Sequence, residues 1–285
     1  MLNRVAKLFP PGRIFLAIFI LWLGVSVLAS YRLSHRSGPV SERLPPGWQE
    51  LRLQANDGVR TGCGWWPGQS GQPVVLVLHP NGGSRSTSQG FVEPLLRRGY
   101  GVMMPSLRAH GDSQANLNDF GVSASRDAVA ARQAVEQLAP GRPVVVLGRS
   151  LGAATAIFAS PDLGDSVAGY LLESPFTTLD KACWNRLSHR LPPILDLVAF
   201  AGLELASRMW LPARIAPIDA VDHLRGRVIL VGGSLDYRTT PDDLALLKTR
   251  CPTGTRLVMV EQADHLQAPM VAGDAYYELV EQLLQ

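Results

Sequence analysis

Three short stretches of the chain are apolar without interruption: Val74–Leu78, Val144–Leu147 and Val228–Val231. Each is bounded by Gly or Pro. A strand with one solvated face alternates apolar and polar residues, so an unbroken run marks a strand covered on both faces. Between the first two runs, Ser123–Leu138 carries Ala, Val and Leu at helical spacing with acidic and basic residues between them. Strands alternating with helices predict a doubly wound, mostly parallel α/β sheet. Trp48–Gly64 alternates in places (LRLQAND), as a hairpin turning at Asn56-Asp57-Gly58 would.

Two segments break this rhythm. Lys181–Val221 is rich in Trp, Leu, Ile and Val with Pro192-Pro193 inside it, which predicts one or two amphipathic helices inserted between core strands. Such an insertion is either ordinary packing or a cap that gives a site an apolar wall. At the other end, Ile14–Tyr31 is uncharged and almost wholly apolar. As a helix it would reach about 27 Å, against a hydrocarbon core of about 30 Å. Arg13 and Arg32 can snorkel across the difference. Two readings stay open: a membrane anchor, or a secretory signal with Val27-Leu28-Ala29 before its cleavage point. The apolar run favours the anchor, being at or beyond the length of a signal core. Basic residues flank both ends, so the positive-inside rule has little leverage. The short basic N-tail tips it toward N-terminus inside, with the following domain extracytoplasmic. The chain then divides into a basic tail (1–13), the apolar helix (14–31), a Ser/Arg/Pro/Gly linker (32–47) and one domain (48–285) with the insertion at about 181–221. Removing Met1–Tyr31 is expected to release that domain intact.

Composition adds exclusions. The 285 residues are 46% hydrophobic, with a formal net charge of +3. The basic residues are scattered and form no stripe for nucleic-acid phosphates. The three cysteines, Cys63, Cys183 and Cys251, are far apart and lack CxxC spacing, so neither a disulfide framework nor a zinc site is implied. No Walker loop or GxGxxG fingerprint for a nucleotide is present.

The chemistry concentrates at VVVLGRSLGAA, Val144–Ala154. Gly148-Arg149-Ser150-Leu151-Gly152 stands where a buried strand meets a helix, the setting of a nucleophile elbow that lifts a serine hydroxyl above the sheet edge. A serine so placed requires a base and oxyanion donors. Sheets of this kind supply the partners in the order Ser, Asp or Glu, His. Asp236 follows the run Val228–Val231, and His265 follows the strand-like Leu257–Val260. We therefore expect Ser150 as nucleophile, His265 as base and Asp236 as its orienting acid. The expected oxyanion donors are the backbone N–H of Leu151 and that of Asn81 in the loop LHPNGGS, since Pro80 has none. Asp264 is the competing acid.

Taken together, LHPNGGS, PSLRAHGDS, LGRSLGAA, LESPFTTL, GGSLDYRTTP and QADH resemble the α/β-hydrolase superfamily. They are most similar to its membrane-anchored branch of ABHD12/13/17 and BEM46-like proteins, and to the serine aminopeptidase/monoglyceride-lipase group. The resemblance covers nearly all of the chain after the linker. It departs at His79-Pro80, where the family usually has His-Gly, and at Ser106-Leu107-Arg108-Ala109-His110-Gly111, where it has Asp-x-Arg-Gly-His-Gly. It implies an α/β-hydrolase fold and a serine hydrolase that cleaves carboxylic esters, of acyl or lipid type, without cofactor or metal. Peptide or amide hydrolysis on the same residues, and a binding protein with vestigial residues, are the alternatives. Oligomeric state is not legible.

Overall fold

The computed structural model of the protein describes residues 11–36 and 40–285; residues 1–10 of the basic tail and 37–39 of the linker lie outside the described residues. The apolar runs form the centre of one sheet. β3 (Val74–Leu78), β5 (Val144–Arg149), β6 (Gly169–Glu173), β7 (Arg227–Gly233) and β8 (Arg256–Val260) run in parallel, and β4 (Gly101–Pro105) joins the other side of β3. β1 (Gln49–Gln54) and β2 (Arg60–Trp66) form the antiparallel hairpin, and β2 pairs antiparallel with β4. The order of the eight strands is β1-β2-β4-β3-β5-β6-β7-β8.

Successive side chains of a strand face opposite sides of its sheet. Val74, Leu76 and Leu78 enter one core with residues of α3 (Ser125–Leu138) and α4 (Leu151–Leu163), notably Ala128, Val135 and Ile157. Val75 and Val77 enter the other, with Val92 and Leu95 of α2 (Gln89–Arg97) and Tyr276 and Val280 of α9 (Asp274–Gln282). Both faces are dry, which is why these strands do not alternate in polarity. The path from β3 leads outward to β4 and then back to β5 on β3's other side. The reversal falls at the carboxyl ends of β3 and β5, where doubly wound sheets bind their ligands.

The insertion is two helices, α5 (Leu179–Arg190) and α6 (Leu195–Ser207). Pro192-Pro193 can neither donate to nor fit within a helix interior, and Ile194 turns the chain at φ 80°. α7 (Pro241–Arg250) joins β7 to β8, and α8 (Ala268–Ala272) precedes α9. Phe176, Ala182 and Ile215 seat the insertion against Ala154 of α4.

At the N-terminus, α1 (Pro11–Ser34) runs 24 residues, three beyond the expected end. Its Gly12–Ser34 portion is long and apolar enough to cross a membrane. Its second half does not stand free of the domain: Ser26, Ser30 and Ser34 are buried, and Trp22 Nε1 donates to Val198 O of α6 at 3.1 Å. The described part of the linker is docked as well. Asn118 N donates to Ser34 O at 2.7 Å, Arg36 N to Asn116 O at 2.9 Å and Val40 N to Gly111 O at 2.9 Å. Glu42 carries the strongest tie, pairing at 2.5 Å with the fully buried Arg85, which also binds Asp112. Buried polar partners in the domain thus hold the end of the apolar helix and the described part of the linker.

A buried guanidinium robbed of a carboxylate keeps its desolvation cost, whereas an exposed pair adds little. Glu42→Ala is expected to cost roughly 3 kcal/mol in denaturant unfolding. Arg52→Ala, which removes an exposed partner of Asp112, should cost under about 1 kcal/mol. Equal effects would mean that Glu42 does not fasten the segment.

Candidate active site

The sharp turn between β5 and α4 requires Ser150 to take φ 51° and ψ −108°. Its amide donates to Glu173 O of β6 at 2.8 Å, pinning the turn to the neighbouring strand. Glycines stand on both sides because there is no room for side chains. A Cβ on Gly148 would lie 2.6 Å from Gly152 O, and one on Gly152 would lie 2.0 Å from Leu78 O. The second value also shows that the loop after β3 abuts the start of α4.

The end of β7 delivers Asp236, which is almost completely buried. One carboxylate oxygen accepts the backbone N–H groups of Arg238 (2.8 Å) and Thr239 (3.0 Å). The other accepts Thr239 Oγ1 (2.7 Å) and Ser174 Oγ (3.0 Å), and meets His265 Nδ1 at 2.7 Å. Burial by itself would raise this carboxyl's pKa. The bonds from His265 and Thr239 outweigh it and bring the pKa down to about 2. A carboxylate ionised at working pH only accepts, so Nδ1 of His265 carries the proton. Nε2 is left with its lone pair, 3.1 Å from Ser150 Oγ. Asp264, the competing acid, accepts the His265 backbone N–H at 2.6 Å and makes no bond with the imidazole.

Asn81 lies in the loop after β3 and Leu151 is the first residue of α4. Neither backbone N–H has a hydrogen-bond partner among the described residues. The Asn81 side chain is anchored instead: its Oδ1 accepts Asn118 Nδ2 at 2.9 Å and lies 3.2 Å from His110 Nε2. The unusual His79-Pro80 pair is structural. His79 Nε2 accepts the Leu107 N–H at 2.9 Å, so Nδ1 donates to Pro80 O at 2.8 Å. Burial, assisted by His110, pushes the His79 pKa down to about 3, and the ring is neutral. The other altered patch is structural too, since Arg108 is buried in ion pairs with Asp127 and Asp57. Of the remaining histidines, His35 stacks on Tyr31 and His189 on Tyr237, while exposed His223 pairs with Asp222.

Sequence reasoning overlooked the supporting residues Ser174, Thr239, Arg149 and Glu173. Arg149, the second residue of the elbow, pairs with buried Glu173 at 2.5 Å and donates to Leu266 O at 2.8 Å, next to His265. It also lies 4.1 Å over the Phe91 ring, and Tyr276 donates to Glu173 at 3.1 Å. LESPFTTL contained two of the four, but their roles depend on partners such as Asp236, 62 positions from Ser174. Among the described residues no cluster of His, Cys, Asp and Glu could hold a metal ion.

The Asp236 pKa is lower in the folded chain than in the unfolded one, so its contribution is complete above about pH 4 and fades as pH falls toward 2. It amounts to about 2 kcal/mol. Urea unfolding from pH 5 to pH 2.5 is expected to show a shallower loss of stability in Asp236→Asn than in the wild type. Parallel curves would mean that the carboxylate is not held this way.

The sequence profile of the alpha/beta hydrolase fold matches residues 73–192. An uncharacterized membrane protein of Saccharomyces cerevisiae is 25% identical over 194 residues, 64% of this chain and 66% of that protein. The lysophosphatidylserine lipase ABHD12 of Danio rerio is 32% identical over 116 residues, 39% of this chain and 30% of its own. The match therefore spans less than two thirds of either relative. In three dimensions, the Pyrococcus furiosus esterase Pf2001 superposes with a TM-score of 0.73 at 21% identity, over 88% of this chain and 97% of that one. Sheet order, elbow and these similarities agree: the chain has the α/β-hydrolase fold, and the proteins it resembles in sequence include one of the ABHD group.

Proposed function

We propose that the protein is a membrane-anchored serine hydrolase that cleaves carboxylic esters of acyl or lipid type through an acyl-serine intermediate. The observation that carries this reading is the continuous chain Asp236–His265–Ser150, with contacts of 2.7 Å and 3.1 Å. His265 Nε2 takes the Ser150 proton as Oγ attacks the ester carbonyl. The amides of Asn81 and Leu151 receive the negative charge that develops on the carbonyl oxygen. Asp236 holds the imidazole in the required tautomer and stabilises the imidazolium. His265 then returns the proton to the departing alcohol. In the second half, water loses a proton to His265 and attacks the acyl-serine; the acyl–Oγ bond breaks, His265 gives the proton to Ser150 Oγ, and the acid is freed. The chain's own residues supply every proton transfer and charge contact in this scheme.

An ester with an apolar acyl part is favoured by two features. α1 would hold the domain at a bilayer, and an apolar crevice of about 50 Å³ lies between α1 and the cap, lined by Leu33, Phe120, Phe200, Leu203 and Leu211. Ser150, Asp236 and His265 are not in its walls. A relative named as a lysophosphatidylserine lipase points the same way.

The wild type is expected to react covalently with a fluorophosphonate probe and to turn over a p-nitrophenyl ester. Ser150→Ala should abolish labelling, and His265→Ala should lower the rate by about 10⁴–10⁶-fold. Asp236→Asn should cost on the order of 10⁴-fold or less, while Asp264→Asn stays within a few-fold of wild type. A folded wild type that is never labelled would favour a binding protein. Labelling that survives Ser150→Ala would place the nucleophile elsewhere.

A further inference from the structure

The contacts between α1 and α6 advance along both helices together. Trp22 meets Val198, Ser26 meets Gly202 (where a Cβ would lie 2.1 Å from Ser26 Oγ), and Tyr31 meets Trp210 edge-on with ring centroids 5.8 Å apart. The two helices therefore run in the same direction, and α6 begins beside the middle of α1. From Trp22 to Ser34, about 18 Å of α1 lies beside the cap or its flank.

The outward side of this docked half is as apolar as the free half. Val25 is 58% exposed and Leu28 57% exposed, and the first charged residue after Arg13 is Arg32. A bilayer covering the apolar length of α1 thus extends down to Tyr31, and α6 lies within that same depth. The free face of α6 suits the same surroundings. Leu195, Leu197, Val198 and Leu205 are between 45% and 57% exposed, with Ile194 and Met209 still more so at its two ends. The charged residues of α6 itself do not oppose this placement. Asp196 is buried and accepts the Leu197 N–H at 2.7 Å at the helix N-terminus. Glu204 pairs with Arg208 at 2.7 Å toward the other end, approaching the level of Tyr31.

We infer that α6 is a second membrane-embedded element, its free face immersed in the acyl region of the bilayer alongside α1. This rests on reading α1 as a membrane anchor, and it deepens the proposed function by giving the substrate a route. An ester-linked acyl chain in the same leaflet lies at the level of the cap and meets it sideways, without first passing through water.

The test uses the full chain in phosphatidylcholine vesicles, with Cys183 and Cys251 changed to Ser and buried Cys63 retained. A bimane probe is attached at Leu197→Cys or, as an exposed control on α7, at Leu246→Cys. The expected result is at least threefold stronger quenching by doxyl-labelled lipid at position 197 than at 246, with iodide quenching in the opposite order. Iodide-dominated quenching at 197 would overturn the inference. So would shielding of that probe from both quenchers, because a second copy or another protein would then cover the face. The double variant Leu195→Asn/Leu197→Asn is expected to lower hydrolysis of a vesicle-borne long-chain ester at least fivefold while leaving the fluorophosphonate labelling rate unchanged. Unaltered hydrolysis in that variant would remove the proposed route. Absence of labelling in the wild type would defeat the serine reading alone, since the quenching measurement does not depend on catalysis.

Discussion

The turn at Ser150 is the constraint around which the molecule is arranged. A non-glycine residue at φ 51° and ψ −108° stores strain on the order of 1–3 kcal/mol, which the surroundings must hold in place. They do so through the Ser150 amide bond to Glu173 O, the packing of α4 against the loop after β3, and a space at Gly148 and Gly152 too narrow for any Cβ. In return, the hydroxyl stands at the carboxyl edge of the sheet and the next amide, that of Leu151, is free at a helix N-terminus. A relaxed turn would give up both the raised hydroxyl and the unspent donor.

A second layer makes the loops around that turn rigid. Ser174, itself at φ 50°, and Thr239 saturate the Asp236 carboxylate, so the acid is held by β6 and the loop after β7 together. Arg149 does the equivalent for His265. Its guanidinium is neutralised by Glu173 and stacked on Phe91 while it grips the carbonyl of Leu266. One ion pair in the floor of the elbow thereby ties the loop of His265 to the strand that leads into Ser150. Hydrogen bonds made in such a low-dielectric setting gain strength from one another, and an unpaired member would be costly.

The N-terminal helix is coupled to the same region. Ser34 O accepts the Asn118 N–H, and Asn118 in turn donates from its side chain to Asn81 Oδ1, the residue whose amide is proposed to hold the oxyanion. Two hydrogen bonds through one residue, Asn118, separate the end of the apolar helix from that loop. With the Glu42–Arg85 pair below it, the helix is a structural part of the domain as well as its proposed membrane anchor.

Local pattern was enough for much of this. Unbroken apolar runs marked the strands because dry strands tolerate no polar side chain. Glycines around a serine marked the elbow, because the turn excludes a Cβ, and the chain order of Asp236 and His265 nominated their candidacy. Whatever depended on residues distant in sequence could be decided only by the tertiary structure: that Glu42 neutralises Arg85, that Ser174 and Arg149 support the site, and that α1 lies along α6. The physical reason is the range of the interactions. Strand burial and turn sterics are properties of a few adjacent residues and leave their mark there, whereas an ion pair or a helix contact exists only once the chain has brought its two halves together.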